Sequence, residues 1–253
     1  MRSIYQVALA IHIAAGIIGL LAFWTPAIAR KGGTVHVKAG RLFYKATCMV
    51  ALTGIVMALG FLIAPLTVRA VPSVPPERAA RIAAEIRLFA PFLLYLVLIT
   101  FTPVYHGVRV LATRRAPEQL RTRFHTLLNV VTIVAAGTMI ALALWARRPV
   151  FAALSPIGFL IGFGNLGFAR QPYPTPMAWW YEHMGSMIGG GIAFHTAFLV
   201  IGAGRLLGLQ FSGWVAVVPW IVPSLVGIPA SAIWVAYYRR KFREDGRVEL
   251  ART

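Results

Sequence analysis

Seven long apolar runs constrain the fold of this 253-residue chain more than any other feature of its sequence. A helix needs about 20 mostly apolar residues to cross the hydrocarbon core of a bilayer, and 58% of the residues are hydrophobic while only 13% are charged. The sequence therefore predicts an all-α integral membrane bundle of seven transmembrane helices in a single domain. The predicted spans are residues 4–29, 44–66, 87–110, 124–146, 150–168, 182–207 and 214–238.

The first run has an alternative interpretation as a secretory signal, because the small residues at 27–29 resemble a cleavage site. Its length and the basic residues that follow favour a span. The distribution of Lys and Arg predicts the orientation. Of the 25 Lys and Arg residues, seventeen lie in the first, third and fifth connections and the C-terminal tail. By the positive-inside rule, the N-terminus lies outside a bacterial plasma (inner) membrane, and residues 239–253 form a solvated, basic cytoplasmic tail.

The excess of basic residues indicates a lipid partner. The net charge of +18 is carried by cations at the ends of the apolar runs, where anionic headgroups account for them. No basic domain stands apart from the spans, so we expect no nucleic-acid binding. The single cysteine, Cys48, excludes a disulfide framework and a Cys-x-x-Cys pair. Before the third span the sequence predicts an amphipathic helix in which Arg81 and Glu85 pair at i,i+4.

Ionisable residues inside a bilayer are costly and are therefore the first candidates for function. Six of the seven acidic residues fall in predicted loops or the tail, which leaves Glu182 at the start of the sixth span. The four lysines lie in connections, in the tail or, for Lys45, in the first turn of a predicted span, so none is expected in the membrane interior. These absences argue against a Schiff-base lysine and against the buried carboxylate relay of proton-coupled carriers.

Histidine is the remaining candidate, and its positions form two tiers. At about 1.5 Å per helical residue, one tier lies in the outer half of the membrane and the other near the cytoplasmic surface. Asn129 lies one turn beyond a histidine of the inner tier and is expected to hold it. The outer tier is His12 and His195, and the inner tier is His36, His106, His125 and His183.

Two tiers on different helices suit two bis-histidine b-type haems. The outer ligands would be His12 and His195, and the inner ones His106 with His125 or His183. A haem protein of this kind would exchange electrons with a quinone or a membrane redox partner. The arginines available for the haem propionates are Arg41, Arg109 and Arg123.

A metal site in the inner tier is the alternative chemistry. Neutral imidazoles and one carboxylate suit zinc or iron. No short His-x-His-type spacing is present, so such a site must be assembled across helices. Its candidate ligands are His36, His106, His125, Glu182 and His183.

The connection after the first span carries the segment "HVKAGRLF". Here Gly32 and Gly33 are expected to end the first helix, and Thr34 to cap the next. The segment resembles the His-Arg-x-x-Gly-Arg-x-Tyr signature of a family of bacterial multi-pass membrane proteins known only as a domain of unknown function. Valine replaces the signature's first arginine and phenylalanine its tyrosine. The resemblance implies family roles for His12, His36, Gly40 and Arg41 but no activity.

No catalytic motif is present, and three functions stay open at this point. The first is a non-catalytic permease-like protein or assembly component whose histidines pack or sense pH. The second is a haem-b or other redox membrane protein. The third is a metal-dependent membrane enzyme that uses the inner tier of histidines.

Overall fold

A computed structural model describes residues 1–203, 208 and 218–244, and this part of the chain contains helices and no strand. Within these residues, seven helices are long and apolar enough to cross a membrane, in agreement with the all-α, seven-helix prediction. The orientation of the termini stays a prediction. The elements are α1 (Arg2–Ile28), α2 (Thr34–Ile63), α3 (Pro65–Val68), α4 (Pro76–Ala112), a 3-10 turn (Pro117–Leu120), α5 (Arg123–Ala146), α6 (Pro149–Arg170), α7 (Ala178–Ala197) with a π-helical extension (Phe198–Ala203), and α8 (Val218–Lys241).

Two spans are longer than predicted because the polar residues before them are also helical. α2 includes the segment that resembles the family signature, and α4 includes the predicted amphipathic lead-in as one continuous helix of 37 residues. Residues 204–207 of the sixth predicted span, 214–217 of the seventh and 245–253 of the tail lie outside the described residues.

The chain divides into two compact units, and the prediction of a single domain stays a prediction. The first unit comprises Met1–Phe101 and Val131–Leu160, and the second comprises Thr102–Val130 and Ile161–Thr253. In the first unit α1 packs along α2. Tyr5 stacks on Phe61 with ring centroids 5.5 Å apart, so aromatic rings contribute to this helix pair.

A tyrosine hydroxyl enters the backbone of α6 within the first unit. Pro156 lacks an N–H and interrupts the helical hydrogen bonding there. The Tyr95 hydroxyl donates to the Leu154 carbonyl at 2.9 Å and accepts from the Gly158 N–H at 2.9 Å. These two groups are i and i+4 partners in a regular helix, so the hydroxyl lies beside that backbone pair and contacts both of its members.

In the second unit, α7 packs against α8. Trp180 of α7 lies against Tyr238 of α8 with ring centroids 4.2 Å apart, and Phe242 completes an edge contact at 5.6 Å. Glu244 follows α8 and is 2% exposed. It accepts hydrogen bonds from the Met177 N–H at 3.1 Å and the Tyr181 hydroxyl at 2.8 Å.

This burial corrects one prediction about the tail. Residues 239–253 were expected to be solvated, and among them Glu244 is buried, whereas Arg240 and Lys241 at the end of α8 are exposed and the rest of the tail prediction stays a prediction. The physical reason is that the start of α7 leaves backbone N–H groups without helical acceptors, and a carboxylate at that position satisfies one of them.

Two local predictions were also wrong. Glu85 forms its ion pair with Arg148 of the first unit rather than with Arg81. Arg148 is distant in sequence, but its side chain reaches the exposed Glu85 carboxylate. Gly33, not Thr34, is the N-cap of α2, and it makes no side-chain capping bond. Lys31 instead caps the end of α1, donating to the carbonyls of Pro26 at 2.6 Å and Ala27 at 2.7 Å.

Candidate functional site

Three protonatable side chains form a continuous hydrogen-bonded chain in the second unit. Glu182 Oε1 lies 3.0 Å from His106 Nε2, and His106 Nδ1 lies 2.9 Å from His125 Nε2. Both histidines are completely buried, whereas the Glu182 side chain is 30% exposed. The chain therefore leads from a carboxylate that water can reach to an imidazole that water does not touch.

Two asparagines extend this arrangement. Asn129 Nδ2 donates to the His125 carbonyl at 2.8 Å and lies 3.4 Å from His125 Nε2. Asn129 therefore contacts His125, as the one-turn spacing predicted, through the His125 backbone. Asn165 Nδ2 donates to Asn129 Oδ1 at 2.8 Å, so the amide of Asn129 has a partner on both sides. Both asparagines are buried, and we call the set Glu182, His106, His125, Asn129 and Asn165 the polar chain.

Local sequence explains where the polar chain's members lie. Thr122 precedes α5, and its hydroxyl accepts the backbone N–H of His125 at 3.1 Å, which is the N-cap contact of a helix start. Glu182 lies just beyond the first turn of α7. Its neighbour His183 donates Nδ1–H to the Gly107 carbonyl at 2.9 Å.

A glycine permits the approach of α4 and α7. A Cβ added at Gly107 would lie 2.7 Å from Ser186 Cβ and 2.8 Å from Met187 Cε. Such separations are well below a van der Waals contact. The absence of a side chain at Gly107 therefore lets the helix with His106 come within hydrogen-bonding distance of the helix with Glu182.

The hydrogen bonds determine the proton positions when Glu182 is ionised. A carboxylate only accepts, so His106 must donate from Nε2. A neutral His106 then accepts at Nδ1, and His125 donates from Nε2 to that atom. His125 Nδ1 is left with a lone pair, and this buried atom has no hydrogen-bond partner among the described residues.

Among the described residues, two further buried polar atoms of the same unit have no hydrogen-bond partner. They are Arg109 Nε and the Tyr173 hydroxyl, although Arg109 Nη2 donates to the Gln119 carbonyl at 2.8 Å. Burial, together with the negative charges of Glu182 and Glu118, raises the pKa of Tyr173 above its usual 10.0. The Tyr173 hydroxyl therefore keeps its proton at neutral pH.

The other predicted histidines make separate contacts. In the first unit, His12 Nδ1 lies 3.0 Å from the Thr53 hydroxyl, and His36 Nδ1 lies 3.3 Å from the Pro26 carbonyl. In the second unit, His195 Nδ1 donates to the Gly191 carbonyl at 2.7 Å. His106 and His125 are thus the histidines that the structure brings together, while haem ligation by any of these residues stays a prediction.

The metal site also stays a prediction. Glu182, His106 and His125 are connected in series rather than around a point, and both ring nitrogens of His106 already have partners. Within residues 1–203, 208 and 218–244, no three His, Cys, Asp or Glu side chains are grouped as ligands for a metal ion. The propionate role of Arg41, Arg109 and Arg123 is likewise untested.

Two members of the polar chain were not predicted as partners. Asn165 was not predicted as a site residue. Its position as a polar residue inside a predicted span is the signal that would have identified it. Glu182 was predicted only as a metal ligand, because its hydrogen bond to His106 joins residues 76 positions apart.

Comparison of the chain with protein families, curated proteins and solved structures gives no match. The described residues thus form a helical protein with seven candidate spans and a Glu–His–His chain whose two histidines are buried and whose carboxylate is partly exposed.

Proposed function

We propose that this chain is a non-catalytic, permease-like protein of the bacterial inner membrane that passes protons through Glu182, His106 and His125. The observation that carries the proposal is the continuous hydrogen bonding of these three groups, at 3.0 and 2.9 Å, in a helical membrane bundle. Chains of carboxylate and histidine within membrane spans are typical of proton relays in pumps and transporters.

The proton positions support a stepwise transfer. A proton that reaches the lone pair of His125 Nδ1 allows the Nε2 proton of His125 to move to His106 Nδ1. The Nε2 proton of His106 then moves to Glu182, whose exposed side releases it to water. One proton enters and one leaves, after which both histidines carry hydrogen on Nδ1 and must return it to Nε2.

The scarcity of acidic residues in the spans argues against a relay built from buried carboxylates alone. It does not argue against this arrangement. Histidines supply two of the three protonatable groups, and only the carboxylate end contacts water. A transported group that donates a hydrogen bond to His125 Nδ1 would couple its own binding to the relay.

The test is a proton-flux measurement on purified protein in liposomes that contain a pH-sensitive dye. A potassium gradient with valinomycin drives protons inward, and we expect wild-type flux well above that of empty liposomes. Glu182→Gln keeps an oxygen acceptor for His106 but cannot release a proton, so flux should fall at least tenfold. Glu85→Gln makes the same change at an exposed carboxylate of the first unit and should leave flux unchanged.

Three results would reject the proposal. They are a wild-type flux equal to that of empty liposomes, a Glu182→Gln flux equal to wild type, and an equal loss in Glu85→Gln. Thermal unfolding of each variant before reconstitution verifies that it is folded.

The haem-b function is a second candidate, and the tautomer of His12 favours it. The Thr53 hydroxyl donates to the Met49 carbonyl at 2.7 Å and therefore accepts from His12 Nδ1–H. Neutral His12 then carries its lone pair on Nε2, the nitrogen that commonly binds iron, with its other N–H held by an outer partner. A dithionite-reduced minus air-oxidised spectrum tests this candidate, since α and Soret bands should appear and be lost in His12→Ala. A flat spectrum after expression with ample haem would remove it.

A further inference from the structure

One face of α8 forms an open groove that ends in two arginines. Its lining residues are Ala232, Val235, Ala236, Arg239 and Arg240. The spacing from the first of these is three, four, seven and eight residues, which places all five on one side of a helix. Small apolar side chains therefore lead directly to two guanidinium groups at the charged end of a candidate span.

The two guanidinium groups have no carboxylate partner within the part of the chain that the structure describes. Arg239 lies 5.4 Å above the ring of Tyr181, which holds its side chain beside the groove. Arg240 is exposed. Glu244, the closest acidic residue in sequence, directs its two oxygens to the Met177 N–H and the Tyr181 hydroxyl instead. Two positive charges consequently face the groove's end.

We propose that this groove binds one anionic phospholipid. The phosphate would lie between Arg239 and Arg240, because a guanidinium donates two parallel hydrogen bonds to phosphate oxygens. An acyl chain would lie along Ala232, Val235 and Ala236, where small side chains leave room for methylene groups. A lipid with a net negative charge matches the two arginines better than a zwitterionic lipid, whose ammonium group offsets its phosphate. This site is independent of the proposed proton relay.

The test uses the full-length protein in mild detergent, titrated with phosphatidylglycerol or with phosphatidylcholine of the same acyl chains. Native mass spectrometry counts retained lipids, and thermal unfolding gives Tm. We expect one retained phosphatidylglycerol and a Tm rise of about 3 to 6 °C at a tenfold excess over Kd. Phosphatidylcholine should give neither.

Variants separate this site from general attraction to positive charge. Arg239→Gln/Arg240→Gln should lose the retained lipid and the Tm rise, and the single change Arg240→Gln, at an exposed side chain, should weaken both without affecting folding. Ala236→Phe fills the groove at unchanged charge and should also weaken binding. The matched control, Arg115→Gln/Arg121→Gln, removes two exposed arginines elsewhere and should bind as the wild type does.

Three results would overturn the proposal. The first is equal binding of both lipids, and the second is an equal loss of phosphatidylglycerol in the control. The third concerns residues 245–253, which follow the groove in the sequence. If the full chain binds no phosphatidylglycerol but a chain ending at residue 244 does, this segment rather than a lipid is the groove's occupant.

Discussion

Substituting Gly107 by alanine tests whether close helix packing holds the polar chain together. The new Cβ would lie 2.7 Å from Ser186 Cβ, 2.8 Å from Met187 Cε and 3.3 Å from the His183 carbonyl oxygen. The terminal methyl group of Met187 can rotate away at little cost. Ser186 Cβ is attached to the backbone, so it can move only if α7 moves with it.

The size of the movement follows from these distances. Carbon atoms pack at about 3.5 to 4.0 Å, so α7 must move by about 1 Å. Glu182 lies on the same helix as Ser186, and its 3.0 Å separation from His106 would increase to about 4 Å, beyond hydrogen-bonding range. We expect the free energy of unfolding to fall by about 1 to 3 kcal/mol, the usual cost of inserting a methyl group into a packed core.

The assay has two readouts. Titration with dodecyl sulfate measures the free energy of unfolding, and ¹⁵N NMR of labelled histidines detects the strongly hydrogen-bonded Nε2 proton of His106. Gly189→Ala is the matched control, since it lies on α7 and no atom is within 4 Å of its new Cβ. Both variants gain helix propensity of up to about 1 kcal/mol, so their difference isolates the effect of the contact.

The reasoning would be refuted by one clear result. If Gly107→Ala is as stable as Gly189→Ala and keeps the downfield His106 proton, the close approach of α4 to α7 does not determine the Glu182–His106 hydrogen bond. A loss of stability in Gly107→Ala with the proton retained would separate helix packing from the polar chain and would also contradict the argument.

Three further predictions concern stability, each measured by titration with dodecyl sulfate. Gly158→Ala places a Cβ 2.8 Å from the Tyr95 hydroxyl and should cost about 1 to 3 kcal/mol, whereas Gly164→Ala, on the same helix in open space, should not destabilise; equal values would contradict the Tyr95 insertion. Glu244→Ala leaves the N-terminus of α7 without its carboxylate and should lower the free energy of unfolding by about 1 to 2 kcal/mol. An unchanged free energy of unfolding would indicate that the Glu244 side chain lies in solvent. Asn165→Ala removes the donor to a buried amide oxygen and should cost about 1 to 3 kcal/mol, so a neutral result would argue against the hydrogen bond.

The seven spans could be predicted because hydropathy is a local property of the sequence. Twenty consecutive apolar residues satisfy their backbone hydrogen bonds within their own helix, so no distant residue is needed to identify them. The apolar runs alone place the starts of α2 and α4 too late, because polar residues continue both helices back to Thr34 and Pro76, as the amphipathic lead-in before the third span had predicted for α4. Helical hydrogen bonding does not stop where apolar composition stops, and hydropathy carries no information about that extension.

The polar chain could be predicted only in part. His106, His125 and Glu182 were singled out because ionisable groups are rare in spans, and Asn129 was correctly placed because four residues make one helical turn. The contacts of His106 with residues 19 and 76 positions away depend on which helices pack together. Periodicity within one helix does not determine that pairing. Glu244 illustrates the same limit, since a tail rich in arginine gives no sign that its carboxylate is buried.

In the proposed proton relay, exposure determines which end of the polar chain would exchange protons with water. His106 and His125 are fully buried, and an added positive charge on either is unfavourable in a low-dielectric interior unless a negative charge is close. Glu182 supplies that charge at 3.0 Å from His106, and it is the only one of the three that solvent contacts. In the proposed relay, a proton entering at His125 would therefore be drawn towards Glu182. It follows that Glu182→Gln should block the release of protons to water while leaving His125 in place. Loss of His125 should instead remove the point at which protons enter. The exposed carboxylate of Glu182 would then exchange protons with water alone.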